Sequence, residues 1–315
     1  MAIKTIFSKE DFIKVLSNYD LGEYKKFKPF KLGAVQTNLL IETTKDKFVF
    51  RYYEIRTEKY ALFEVNILQY LAKHSYPCPA PIRNTHGGFI GKYKNKPFVL
   101  FEFMEGEHRK SSNPKLIAQA IGKLHKITIG YKPKYREARY PFDQKSCWKD
   151  AKSNSKKLKS KSEAKHRLNW LKAELDKLKL SDNLPKGVCH CDTHPSNFLY
   201  KNGNLVAVLD FDDANYINLL YDVANMIYFW AWPHKKKIIF DKAKDLLKEY
   251  SKYRKLNETE KKHLYDLLKM VIFMSIGWFI HDNDDFFNEK KKIEFLNLIG
   301  REEFYNRLFN IQRKR

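Results

Sequence analysis

Cysteine is scarce in this 315-residue chain, with only Cys78, Cys147, Cys189 and Cys191. Their number and placement exclude the disulfide framework that staples small secreted domains. Long hydrophobic runs are also missing. The longest, MVIFMSIGWFI at 270–280, falls well short of the roughly 20 apolar residues of a spanning helix. No apolar segment follows the opening MAIKTIFSKEDF, as a secretory leader would require. These absences predict a soluble, cytoplasmic protein with no membrane partner. Acidic residues are outnumbered, 37 against 60 Lys and Arg, for a formal charge of +23. Such an excess raises nucleic acid as a partner. The lysines, however, are spread over KDAKSNSKKLKSKSEAKHRLNWLKAELDKLKL and the C-terminal third, with no recognised nucleic-acid module among them. We therefore read them as a solvated basic face and expect no specific nucleic acid.

Apolar material is plentiful: 43% of residues are hydrophobic and 15% aromatic. That excludes general disorder and suffices for one large core or two modest ones. TNLLIETT and KFVFRYY, separated by the polar pair KD, predict a β-hairpin over 37–53. In residues 58–75, Ala61, Val65, Leu68 and Ala72 recur at helical spacing, and PCPAP at 77–81 ends that helix. KPFVLFEF at 96–103 reads as a strand leading to Gly106. From PKLIAQAIGKLHKI at 114–127 onward the pattern is mainly helical, including the Lys-rich stretch at 146–180. There is no internal repeat.

The chemistry gathers in VCHCDTHPSNFLY, residues 188–200, and in the segment after it, NFLYKNGNLVAVLDFDD. Asn202-Gly203 supplies the positive φ angles of a tight type I′ turn, so the segment folds back as a hairpin. Its ends carry His190, Asp192 and Asn197 on one side and Asp210, Asp212 and Asp213 on the other. Such a carboxylate cluster is repulsive without a cation, and hard oxygen donors suit Mg²⁺. The order H-x-D-x-x-x-x-N followed by an Asp-Phe pair is that of a kinase catalytic loop and its metal-binding aspartate. A polar turn with N-capping side chains is the plainer reading, but the joint spacing and the second acidic cluster weigh against it. A zinc site from Cys189, Cys191, His190 and His194 lacks the usual C-x₂-C spacing.

With these residues the chain resembles the kinase-like small-molecule phosphotransferases, a group that includes aminoglycoside phosphotransferases, choline kinases and type II homoserine kinases. NLPKGVCHCDTHPSNFLY, AVLDFDDANY, LLYDVANMIYFW and PCPAPIRNTHGGFIGKYKNKPFVLFEFMEG look like type II homoserine kinase, except that Cys191 stands where the family carries glycine. The resemblance implies a protein-kinase-like two-lobed α+β fold, with an N-terminal antiparallel sheet and one helix over 1–101. A hinge at 102–106 and a mainly helical lobe over 107–315 would follow. It also implies ATP and Mg²⁺ as cofactors and a small hydroxylated acceptor, homoserine first, with aminoglycosides, choline or another amino alcohol or sugar as alternatives. Monomer and dimer are both open.

By that resemblance Asp192 accepts the acceptor's hydroxyl proton, and Asn197 and Asp210 hold the metal, with Asp212 a weaker second candidate. The loop at 32–38 offers Gly33 and Thr37 to the phosphates, Arg51 replaces the usual strand lysine and pairs with Glu64, and backbone at Glu102 and Met104 faces adenine. Asp213, Tyr216 and Trp230 are candidate acceptor contacts, although a helical aromatic stripe is more often core. His190 is expected to support the loop by hydrogen bonding and Asp222 to cap a helix; His125 reads as structural. Arg51, the single glycine, Cys191 and the charge also fit a catalytically inactive pseudokinase that serves as a binding protein. The intact set of Asp192, Asn197 and Asp210 speaks against it.

Overall fold

A computed structural model of the chain describes residues 5–30, 35–108, 113–232 and 237–309. These divide into two compact units. The first draws on residues within 1–110, 132–139 and 196–212, and the second on 111–131, 140–195 and 213–315.

The first unit opens with α1 (Lys9–Leu16), so it carries two helices where the resemblance implies one. Ser8 and Asp11 form a reciprocal capping box at its start, satisfying two otherwise orphaned backbone donors. Its buried residues Phe12, Val15 and Leu16 contribute roughly 5–9 kcal/mol of gross apolar burial before entropy is charged. They pack in a core with Phe7, Phe50, Tyr52, Phe98 and Leu100. Strands β1 (Tyr24–Pro29), β2 (Thr37–Thr43) and β3 (Lys47–Tyr52) follow, then α2 (Glu58–Lys73), β4 (Gly91–Tyr93) and β5 (Lys96–Glu102). The sheet runs β1-β2-β3-β5-β4 and every pairing is antiparallel. Ala61, Val65 and Leu68 are buried on α2 as their spacing predicts, whereas Ala72, the fourth residue of that stripe, is only half-buried.

The second unit contains α3 (Pro114–Ile127), α4 (Gln144–Asn154), α5 (Lys161–Leu175) and β6 (Lys186–Cys189). Proline at the first position of α3 costs nothing, because that N–H would have no intrahelical partner. The hairpin β7 (Phe198–Lys201) and β8 (Asn204–Val208) comes next in the chain. Asn202 and Gly203 at its tip have φ of 52° and 82°, as the Asn-Gly signal requires. This hairpin groups with the first unit although it lies inside the 107–315 segment. Val208 N–H donates to the Pro77 carbonyl at 2.7 Å, and Tyr200 and Glu107 exchange backbone hydrogen bonds. Residues 132–139 join the same unit through Arg139, which donates to the carbonyls of Tyr60 and Asp212 and stacks on the Tyr60 ring.

Back in the second unit, β9 (Asn215–Asn218) pairs with β6. It is followed by α6 (Leu220–Met226), a π-helical turn at Ile227–Ala231, α7 (Phe240–Tyr250), α8 (Glu258–Phe279) and α9 (Asn283–Phe309). Gly300, at φ 73°, interrupts α9. Among the described residues no helix is long and apolar enough to cross a membrane.

Candidate active site

In the first unit Arg51 stands on β3 as a three-way fork. Its Nε donates to Asn38 Oδ1 at 3.0 Å, Nη1 to Glu64 Oε1 at 2.7 Å and Nη2 to Asp210 Oδ1 at 3.0 Å. Tyr53 donates its hydroxyl to the other Glu64 oxygen at 2.7 Å. The Arg51 and Glu64 side chains are 11% and 2% exposed, so this is a buried ion pair and not a surface one. Burial alone would depress the guanidinium, but the carboxylates of Glu64 and Asp210 outweigh it and raise Arg51 above its ordinary range. Glu64 is pushed up by burial, against the pull of Arg51 and with the repulsion of Asp212 and Asp210.

Asn197 and Asp210 flank the open end of the β7–β8 hairpin. Phe198 pairs with Val208, and Leu209 N–H donates to the Asn197 carbonyl at 2.8 Å. Asp210 has φ 59°, a left-handed conformation that Asp tolerates better than most residues. Its side chain is 42% exposed, whereas Asn197 is buried. Together they offer two hard oxygen donors, the set that suits a small divalent cation. Asp212 is differently engaged: Arg56 Nη2 approaches Oδ2 at 3.2 Å and Gln36 Nε2 both oxygens at 3.3–3.4 Å. Thr37 donates its hydroxyl to Glu54 at 2.6 Å. The Glu102 N–H is committed to the Ala80 carbonyl at 3.0 Å, and Met104 lies just past the end of β5. Gly33 lies outside the described residues.

The loop of the second unit is held from α6 and the turn after it. Asp222 is fully buried and accepts from His190 N–H at 2.7 Å, Cys191 N–H at 2.8 Å and His125 Nε2 at 3.1 Å. This corrects the expectation of a helix cap: Leu219 occupies the N-cap of α6 and makes no side-chain capping bond. Asn225, one turn along, accepts from both the N–H and the hydroxyl of Thr193 at 2.7 Å. Trp230 is buried, and its indole N–H donates to the Thr193 carbonyl at 2.8 Å. The sequence signal for this belt was Asp222-x-x-Asn225, two polar residues on one helical face. His190 Nδ1 accepts from Asp192 N–H at 3.3 Å.

Cys191 has φ 66°. The position favours glycine, and Cys191 is held there by the bond to Asp222. The ligand atoms of His125, Cys189 and Asp222 lie within 4.8 Å of one another. They form a hydrogen-bonded knot, since the second His125 nitrogen bonds the Tyr250 hydroxyl at 2.7 Å. Asp192 and Asp213 line a cavity of about 360 Å³ in the second unit, together with Asn225, Trp278, Asp285 and Glu289 among others. Tyr216 and Trp230 are not part of that lining. Tyr216 sits on β9 opposite Val188.

An antiparallel sheet with the two helices α1 and α2, a mainly helical remainder and an H-x-D-x-x-x-x-N…D-F motif define a kinase-like phosphotransferase. The model of the phosphotransferase enzyme family matches residues 26–256, and the chain belongs to that family. A homoserine kinase of Agrobacterium fabrum is 27% identical over 266 residues, covering 82% of this chain and 81% of the relative. Among solved structures, amicoumacin kinase in complex with AMP-PNP, Ca²⁺ and Ami aligns over 95% of this chain and 94% of its own, with a TM-score of 0.67 and 19% identity. A microcompartment-associated aminopropanol kinase aligns over 95% of both chains, with a TM-score of 0.66 and 15% identity. The protein is accordingly a kinase-type phosphotransferase that acts on a hydroxyl of a small molecule, and its fold is protein-kinase-like.

Proposed function

We propose that the chain transfers the γ-phosphate of ATP, with Mg²⁺, to the hydroxyl of a small metabolite, homoserine first. The observation that carries the reading is the hairpin end, where Asn197 and Asp210 stand together as oxygen donors and Asp210 is bonded to the Arg51–Glu64 pair. The named function of the Agrobacterium relative supports homoserine.

In this reading Asp192 accepts the hydroxyl proton and orients that oxygen, Asn197 and Asp210 hold the metal, and Asp212 keeps its end of the hairpin in place through Arg56 and Gln36. Arg51, oriented by Glu64, meets the α- and β-phosphates with a planar fork where kinases commonly use a lysine. Backbone at Glu102 and Met104 reads adenine, the Glu102 contribution coming from its carbonyl because its N–H is taken. The bound metal supplies positive charge to the phosphate oxygens. Asp222, Asn225 and Trp230 act as positioning residues that fix the backbone around Asp192.

The test is ATP or GTP consumption with Mg²⁺ across homoserine, choline, ethanolamine, sugars and aminoglycosides, beside Asp192→Ala. One acceptor is expected to support turnover, and Asp192→Ala to lower its kcat by at least about a hundredfold. Turnover that survives Asp192→Ala would overturn the assignment of the base. Nucleotide binding with no acceptor phosphorylated would favour the pseudokinase.

A further inference from the structure

Arg139 follows a single 3₁₀ turn at Arg136–Ala138, in the short stretch that joins the first unit from between α3 and α4. It is 7% exposed, and arginine is seldom buried that far without a task. Its Nη1 donates to the Tyr60 carbonyl at 3.1 Å and its Nη2 to the Asp212 carbonyl. The guanidinium carbon lies 3.5 Å from the centre of the Tyr60 ring and 4.6 Å from that of Phe63. Tyr60 and Glu64 are four residues apart on α2 and share one face. Arg139 therefore grips the stretch of α2 that presents Glu64.

Asp212, at the other end of that grip, stands two residues from Asp210. Asp210 bonds Arg51 Nη2 at 3.0 Å, and Glu64 bonds Arg51 Nη1 at 2.7 Å. The contacts close a ring that runs from Arg51 through Glu64, α2, Arg139, Asp212 and Asp210 back to Arg51. Arg56 makes a parallel link: its Nη2 meets an Asp212 carboxylate oxygen at 3.2 Å, and its guanidinium stands 4.3 Å from the Tyr60 ring centre. The two links hold different things. Arg56, 22% exposed, takes a carboxylate that can rotate, whereas Arg139 takes two backbone carbonyls and so fixes chain against chain. A planar fork spans two carbonyls in a set geometry, which an ammonium on a flexible stem does not reproduce.

We infer that Arg139 is a positioning residue for the nucleotide. It sets α2 against the 210–212 segment, so that Glu64 and Asp210 aim the Arg51 fork at the phosphates of a nucleoside triphosphate, and it touches no phosphate itself. This rests on the reading of Arg51 given above and goes beyond it by naming the residue, outside the sheet and α2, that keeps the fork in aim.

Affinity for Mg²⁺–ATP is measured by calorimetry on the full chain, for the parent, Arg139→Met, Arg139→Lys and Glu64→Gln and for each Arg139 variant combined with Glu64→Gln, with urea unfolding alongside. Arg139→Met should weaken the nucleotide about tenfold and Arg139→Lys about threefold, the loss of one charge-assisted contact or part of one. A purely structural arginine would lower the urea midpoint and leave the Kd of the folded chain where it was. In the Glu64→Gln background the cost of Arg139→Met should shrink to less than about threefold, because its main route to Arg51 is already broken.

Unchanged affinity in folded Arg139→Met, or the full tenfold cost in the Glu64→Gln background, would overturn the inference. If Arg139→Met does not fold, Arg139→Lys carries the same comparison in both backgrounds. If the parent itself binds no nucleotide, the reading of Arg51 fails on its own account, and hydrogen exchange decides the link. Amides of α2 that exchange faster in Arg139→Lys than in the parent, with those of β2 and β3 unchanged, sustain it, and equal rates end it.

Discussion

Replacing Arg51 by lysine keeps the charge and removes the fork. The guanidinium makes three contacts, to Asn38, Glu64 and Asp210 at 3.0, 2.7 and 3.0 Å. A single ammonium on a shorter reach replaces about one of them. Hydrogen bonds to charged groups contribute about 1.5–3 kcal/mol each, so losing two removes about 3–6 kcal/mol in gross terms. The position is 11% exposed, and water returning to the gap offsets part of this, which leaves an expected loss of about 2–4 kcal/mol. Arg51→Met is expected to cost about 3–5 kcal/mol, because Glu64 is left buried without its cation. The double variant Arg51→Met/Glu64→Gln should cost less than the sum of the two single changes, a coupling that a double-mutant cycle reads directly. The assay is urea unfolding followed by two probes, since a chain of two units need not unfold in one step. Arg51→Lys within about 0.5 kcal/mol of the parent, with additive double-mutant energies, would refute the argument that the fork holds these three groups together.

Three further outcomes follow from the second unit. Cys191 sits at φ 66°, so Cys191→Gly should be more stable than Cys191→Ala by about 1 kcal/mol in urea melts, the reverse of the order in a helix; both lose the thiol, and the difference isolates the left-handed backbone. Gly122→Ala should lower stability by about 1–2 kcal/mol despite alanine's better helix propensity, because the new methyl would lie 2.9 Å from the Tyr250 carbonyl; a raised Tm would refute that packing. Burial disfavours a charged His125, but Tyr250 and Asp222 outweigh it and hold the imidazole above its ordinary value. The folded state therefore keeps a proton that the unfolded chain releases near pH 6.5, and the stability advantage over His125→Gln should be full below that pH. It should shrink by about 1.4 kcal/mol per pH unit above it, until the folded pKa is passed. A difference that stays flat from about pH 6 to 9 would refute a protonated His125.

The sequence was most informative where chemistry is local. Asn202-Gly203 announced its hairpin, and the interval from Asp192 to Asn197 announced a kinase loop, because both depend on spacing along a few residues. Helix α1 could have been found from Ser8-x-x-Asp11 ahead of Phe12, Val15 and Leu16, a capping box followed by an apolar stripe. Asp222 was visible as a polar residue at a helix start, yet its partners at His190 and Cys191 lie about thirty residues away, so the local rule suggested a cap. The acidic wall of the cavity was beyond reach for a related reason. Asp285 and Glu289 resemble ordinary solvated charges in a Lys-rich helix, and only the fold brings them to the wall that also carries Asp192. Trp230 read more readily as core than as a pocket wall, and its indole bond to the Thr193 carbonyl has no sequence signature.

The assignment of the β7–β8 hairpin to the first unit has a consequence for the order in which the chain can fold during synthesis. A nascent chain that has emerged only through residue 110 lacks the strand that answers Glu107, the donor for the Pro77 carbonyl, and the Asp210 carboxylate that completes the Arg51 fork. These arrive about ninety residues later, after α3, α4 and α5 have been made. Domains that fold as they leave the ribosome do so as units; here the five-stranded sheet lies wholly within residues 24–102 and is made early, whereas the contacts that residues 196–212 bring to the first unit wait until part of the second has been synthesised.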